Sequence, residues 1–255
     1  MNKMKLVTFN LRVSVDVDGI NCFPHRMGLI YQKIKAERPD IICFQEVRPV
    51  QLECLEMMMP EYVLVGQGRE ADYAGEGLYT AVHKDSIQLL AFDTFWLSPE
   101  PYTPGSRFGH QSQFLRICSV LRVRRKDNGR VFLVYNLHLD HKSEEARISQ
   151  LEVVLEHLKR AQEINSFPAV IMGDFNAVPG SRTIQQCDSF EAVALTNVTE
   201  DIPCSFHNFG RVATKIDHMF MTKELQENVT EIGIWDQMEN GIYLSDHYPI
   251  YVCVE

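Results

Sequence analysis

Short apolar runs alternate with amphipathic stretches along the chain. Residues 5–11 alternate and are rich in β-formers, which predicts a strand ending near Asn10. Residues 25–37 place Leu29, Ile30 and Ile34 on one stripe with Lys33, Lys35 and Glu37 off it. That is a helix pattern, and Pro39-Asp40 breaks it. Ile41-Ile42-Cys43-Phe44 reads as a buried strand delivering Gln45-Glu46, and residues 52–59 as a short helix closed by Pro60. Strands are expected at 62–66 and 78–83, around a polar, glycine-bearing loop at 67–77. Residues 96–109 are broken by proline and glycine. Two long strands, 114–124 and 131–139, flank Asp127-Asn128-Gly129, a hairpin turn signal.

Residues 143–162 give the clearest helix. Ile148, Leu151, Leu155 and Leu158 share a face, and Ser143 is placed to cap it. A central run, Ala169-Val170-Ile171-Met172, then rises into Gly173-Asp174-Phe175-Asn176 and stops at Pro179. An irregular region follows, then strands at 216–221, 229–235 and 248–254. Strands before and after helices, with hairpins among them, predict an α/β (α+β) fold of mixed sheets covered by helices.

Composition narrows this picture. With 255 residues, 45% of them hydrophobic, the chain can bury a large core. No Gly/Ser/Pro-rich linker or repeat divides it, so one domain over 1–255 is expected. The opening residues enter a strand pattern at once, without a leader's apolar core, and no stretch approaches a membrane span. A cytoplasmic location is the default expectation. Seven cysteines without a CxxC pair argue for buried reduced thiols and against a thiolate zinc site. The net charge of −9, from 25 Lys+Arg against 34 Asp+Glu, favours a small phosphorylated substrate over a long polyanion.

Chemistry gathers at the strand ends. Glu46, Asp174 and Asp246 are acids there, and a hard divalent cation such as Mg²⁺ takes carboxylates plus water and substrate phosphate. Asn10 and Asn176 each follow a strand-ending Phe. A neutral amide can hold water or a phosphoryl oxygen, although an Asx turn is its commoner use. His138 closes an apolar strand, and Asp217-His218 and Asp246-His247 pair acid with imidazole, as general-base chemistry or phosphate binding requires. A transition-metal site ranks second, since compact zinc spacings such as HExxH are absent. Arg116 is a charge inside an apolar run, explained equally by a phosphate or by an inter-strand ion pair. Walker-type, GxSxG and EF-hand motifs are absent.

Six stretches in order resemble the endonuclease/exonuclease/phosphatase superfamily. They are Thr8-Phe9-Asn10-Leu11, residues 39–46, Asn136-Leu137-His138-Leu139-Asp140, Gly173-Asp174-Phe175-Asn176, Lys215-Ile216-Asp217-His218 and Ser245-Asp246-His247. The resemblance implies a deoxyribonuclease I-like four-layer sandwich, two mixed β-sheets face to face with helices outside. It implies that Glu46 and Asn10, with Asp246, hold Mg²⁺, for which Mn²⁺ could substitute. Asp174, helped by Asn176, would activate water; His138 would contact phosphate; Asp217 would orient His247 on the scissile phosphate. Arg116, Asp140 and Glu76 are the candidates for substrate contact. Phe95-Trp96-Leu97-Ser98, Pro104-Gly105-Ser106 and His138-Leu139-Asp140-His141 resemble an unassigned bacterial-type subgroup of that superfamily. The chain departs from that subgroup at Val82-His83, and residues 216–218 read Ile-Asp-His where the superfamily more commonly has Ile-Asp-Tyr.

The activity expected is a metal-dependent phosphoesterase acting on a small molecule or lipid headgroup, with no protein partner called for. A nuclease, such as a 3′–5′ exoribonuclease of the deadenylase kind, is the alternative; the aromatics of residues 92–108 could stack bases for it. A non-catalytic binder on the same fold is the third reading.

Overall fold

The structure is a computed structural model that describes residues 3–255, so the first two residues, read above as the lead into the opening strand, lie outside it. Two six-stranded mixed sheets dominate. The first runs in the order β11 (Val229–Ile234), β14 (Ile250–Val254), β1 (Met4–Asn10), β2 (Ile41–Val47), β4 (Gly77–His83), β3 (Tyr62–Gly68). The second runs β5 (Ile87–Trp96), β6 (Ile117–Arg125), β7 (Val131–His138), β8 (Ala169–Asp174), β10 (Asp217–Thr222), β9 (Leu195–Asn197). A two-stranded ribbon, β12 (Met238–Glu239) with β13 (Ile242–Tyr243), stands apart. The helices are α1 (Phe23–Glu37), α2 (Pro49–Met58), α3 (Glu144–Ile164), α4 (Arg182–Asp188) and α5 (Lys223–Gln226).

Strands that looked uniformly apolar are buried on both faces. In β2, Ile41 and Cys43 join the core between the sheets, while Ile42 and Phe44 join the cluster containing Phe23, Ile30 and Ile34 of α1. In β8, Val170 and Met172 face the inter-sheet core, and Ala169 and Ile171 pack with Leu151, Leu155 and Leu158 of α3. Helix, sheet, sheet and helix thus form four layers, as the resemblance implied. Truncating one of these fully buried side chains to alanine costs about 2–5 kcal/mol.

The predicted elements fall within a few residues of the observed ones, and Ser143 does cap α3, its side chain accepting from the Ala146 N–H. Two expectations are corrected. The aromatic stretch at 92–108, whose alternative role as a base-stacking segment needs an exposed loop, begins inside a strand, because Phe92, Phe95 and Trp96 belong to β5. The region after Pro179 is not wholly irregular, because it holds α4 and β9. All seven cysteines are free, four of them buried. Among the described residues no helix is long and apolar enough to cross a membrane.

Candidate active site

Asp174 ends β8, the strand between β7 and β10. Register sets His138 of β7 beside it on one side and Asp217 of β10 on the other. Gly173 permits this approach. Its φ is +151°, and a Cβ there would lie 2.0 Å from the Leu137 carbonyl oxygen, so a side chain would push β8 off β7.

The facing sheet contributes Asn10 from the end of β1 and Glu46 from β2. Glu46 sits at φ +61°, in a stretch where β2 and β4 slip register. A bulge of this kind re-aims a side chain. The left-handed conformation costs a non-glycine residue about 1–3 kcal/mol. Beneath them a polar seam joins the sheets. Gln45 Nε2 donates to Asn136 Oδ1 at 2.8 Å, and Asn136 Nδ2 donates to the Phe44 carbonyl at 3.1 Å.

Asp174 is the hub. Asn10 Nδ2 donates to its Oδ2 at 3.0 Å and to Glu46 Oε1 at 3.1 Å, tying the two carboxylates together across the sheets. The Asn176 N–H donates to Asp174 Oδ1 at 2.8 Å. His138 Nε2 and His247 Nε2 lie 3.5 and 3.9 Å from Asp174 Oδ2. On its far side His247 Nδ1 meets Asp217 Oδ2 at 2.8 Å, and Asp217 is held by its own N–H donating to Ser205 Oγ. Ser245 Oγ donates to the Asn10 carbonyl and lies 3.1 Å from Asp246 Oδ1, which fixes the last acid beside the first strand.

Burial and crowding set the charges. Burial, with the Asp217 charge, pushes Asp174 up to about 7. Burial and Glu46 also raise Asp246. Burial opposes the charge on His247, but the Asp217 carboxylate, with Asp174 and Asp246, lifts it to about 10, so it is a cation at neutral pH. Burial, then Arg116 and Arg69, push His138 well below its ordinary value, so it is neutral. Ligand oxygens or nitrogens of Glu46, His138 and Asp174 lie within 4.8 Å of one another, as do those of Asp174, Asp217 and His247. A set richer in carboxylate than in imidazole, without thiolate, suits a hard cation, whose charge would offset the raised Asp174 and Asp246.

The sequence-predicted residues divide accordingly. Asn10, Glu46, His138, Asp174, Asp217, Asp246 and His247 come together. Asn176 lies beside them, at φ +49°, and its amide donates to the Leu139 carbonyl, so it shapes the loop behind Asp174. Asp140 is placed differently from the substrate contact expected. It is fully buried, and its carboxylate accepts from the Ser112, Lys142 and Ser143 amides. It orders the turn into α3. Arg116 lies just ahead of β6, and among the described residues no carboxylate is within ion-pair distance of it, which removes the inter-strand ion pair as its explanation. Glu76, just ahead of β4, pairs with Arg69.

Sequence reading missed three supports. Arg69 lay in a stretch read as a plain surface loop yet is 6% exposed. Arg26 is fully buried in α1 and donates to the Leu11 and Leu244 carbonyls, behind Asn10 and Ser245. Ser205 carries no motif of its own. Arg26 alone had a signal, a cation facing an apolar helix stripe.

Comparison with known proteins agrees with this fold. An uncharacterized protein of Acanthamoeba polyphaga mimivirus is 26% identical over 248 residues, 91% of each chain. The crystal structure of an endonuclease/exonuclease/phosphatase from Bacteroides vulgatus superposes with a TM-score of 0.92 at 28% identity, over 100% of this chain and 99% of that one. A mannosyl-6-phosphatase from Bacteroides thetaiotaomicron gives 0.87 at 26%, over 99% and 100%. The model of the Endonuclease/Exonuclease/phosphatase family matches residues 7–247, and the chain belongs to that family.

Proposed function

We propose that the chain hydrolyses phosphate esters of small molecules or lipid headgroups, with Asp174 preparing the attacking water. The observation that carries this is the Asp174 hub itself. One buried carboxylate, raised toward neutrality, lies against a neutral histidine on one side and a cationic histidine on the other. Asp174 accepts a proton from water and Asn176 keeps the carboxylate oriented. His247, held by Asp217, supplies positive charge to the phosphoryl oxygens, and His138 offers them a hydrogen bond. Glu46, Asn10 and Asp246 are the residues that would hold Mg²⁺ or Mn²⁺. Bound there, the cation supplies Lewis-acid charge to the phosphoryl group.

The mannosyl-6-phosphatase among the similar structures supports the small-molecule reading. The nuclease reading loses part of its basis, since Phe95 and Trp96 are 1% and 2% exposed and belong to the core. The test is a panel of sugar phosphates, nucleotides, oligonucleotides and phospholipids in Mg²⁺ or Mn²⁺. A sugar phosphate or headgroup should turn over, and Asp174→Ala should abolish that. Turnover confined to oligonucleotides would favour the nuclease, and no turnover of any ester would remove the enzymatic reading.

A further inference from the structure

We propose that this site selects phosphomonoesters over diesters, through a wall of Arg69, Glu76 and Arg116 that reads the extra terminal oxygen and charge of a monoester dianion. The inference rests on the phosphate-ester reading above and names the substrate class of the same site.

The wall is built from both sheets. Arg69 follows β3, Glu76 precedes β4, Arg116 precedes β6, and His138 closes β7 beside them. Arg69 and Arg116 are 6% and 4% exposed. Arg69 Nη1 pairs with Glu76 Oε1, and the ring of Phe114 covers the guanidinium at 4.8 Å. Among the described residues the one side-chain contact of the Arg116 guanidinium within hydrogen-bond distance is His141 Nδ1, 3.5 Å from its Nη2. The buried part of the cluster is therefore two guanidiniums against one carboxylate. In both arginines the Nε–H is buried without a hydrogen bond, although the half-exposed Glu70 lies 3.8 Å from that of Arg69.

A buried charged donor without an acceptor is among the costlier features a fold can carry. Two of them side by side, next to a cluster of acids, describe a place for an anion. Guanidinium forks match phosphoryl oxygens in shape and charge. Size then decides which phosphate. The half-open recess between Arg69, Glu76, Arg116 and His138 offers about 10 Å³, room for roughly one water-sized atom. A terminal oxygen fits there, and the carbon substituent of a second ester does not. A diester brings two non-bridging oxygens and one charge, a monoester three oxygens and two charges. Only the monoester satisfies His138, His247 and this wall together.

The reaction balances as simple hydrolysis. The water oxygen bonds to phosphorus while the ester P–O bond breaks. Asp174 takes one water proton and returns it to solvent, and the leaving oxygen gains a proton to become an alcohol. The products are inorganic phosphate and that alcohol.

The test measures kcat/KM in Mg²⁺ for p-nitrophenyl phosphate and bis(p-nitrophenyl) phosphate, together with inhibition by inorganic phosphate. Wild type and Arg69→Met/Glu76→Gln are compared, the double change removing the pair without stranding the acid. Wild type should prefer the monoester by about 100-fold or more, as expected for a few charge-assisted hydrogen bonds. In the variant that ratio should fall, and the inhibition constant for phosphate rise, about tenfold each. Should the double variant fail to melt cooperatively, Arg69→Lys, which keeps the charge and loses the fork, is read by the same ratio. Equal or better diester turnover by wild type, or an unchanged ratio in a folded variant, overturns the proposal while leaving the phosphate-ester reading intact. Failure of wild type on both esters and on the wider panel removes that reading, and this inference with it.

Discussion

Asp127 and Asp174 lie at opposite ends of the second sheet, and the fold treats them in opposite ways. Asp127, in the turn between β6 and β7, accepts from Arg125 Nε and Nη2 at 3.1 and 2.8 Å, and hydrogen bonding to that guanidinium lowers its pKa. Nearby, Asp40 Oδ2 accepts from the Lys5 N–H at 2.7 Å. Among the described residues the Asp127 carboxylate meets a guanidinium with no second acid beside it in its hydrogen-bond set. At the other end Asp174, although it accepts from Asn10 and the Asn176 N–H and lies near His247, shares its buried place with Asp217 and Glu46, and burial with the Asp217 charge raises it to about 7. A chain selected for stability alone would have no reason to keep that crowd. Like charges held together in a buried place mark the end of the sandwich to which we assign the chemistry.

Four experiments break or sharpen the contrast. Removal of divalent cation by EDTA should abolish ester hydrolysis and restoration of Mg²⁺ should recover it; turnover in EDTA would separate the acid crowd from any metal. Next, Asp174→Ala should cut kcat by about 1,000-fold, whereas Asp127→Ala should leave it within twofold, as steady-state assays would report.

Asp217→Asn should cost about 100-fold. It should also move the high-pH fall in activity down from about 10, because His247 loses the charge that keeps it protonated. A pH–rate profile with an unshifted basic limb would mean that Asp217 does not govern His247. The smallest effects are on stability, measured by denaturant melts without metal. The folded pKa of Asp174 lies above its ordinary value, so the fold favours the neutral acid. That contribution is complete below about pH 4 and is lost as pH rises through about 7. Asp174→Asn should therefore stabilise at pH 8 by about 2 kcal/mol. The folded pKa of Asp127 lies below its ordinary value, so its contribution is present above that value and is lost as pH falls through the lowered one. Asp127→Asn should destabilise at pH 8 by about 0.5 kcal/mol, the scale of a surface ion pair. Changes of the same sign at both ends would undo the comparison.

The functional end was legible because its residues terminate strands buried on both faces. Ile-Ile-Cys-Phe and Val-Ile-Met are unbroken apolar runs, so Glu46 and Asp174 stand out as the first charges after them. β5 was illegible for the opposite reason. It is an edge strand with residues 90–93 exposed, and a register slip between Leu89 and Ala91 breaks its alternation. No strand is therefore expected there, and its aromatics group with the broken segment that follows. Asp140 was misread because a carboxylate meeting three backbone amides in a turn looks, in one dimension, like an acid after a strand. The proximity of Arg69 to Arg116 depends on how one sheet lies on the other, which no local pattern carries.

The strand order of the first sheet has a consequence for synthesis. β14 follows every other described element in sequence, yet it lies inside the sheet, between β11 and β1, just after the segment that brings Asp246 and His247 toward the end of β1. While a ribosome is still short of that segment, β1 has one open edge and the hub lacks its cation. Pairing the first strand with the last is the slow, long-range step of such a topology. On the proposed roles of Asp246 and His247, ester cleavage begins only once β14 docks on β1, so folding and the onset of catalysis coincide.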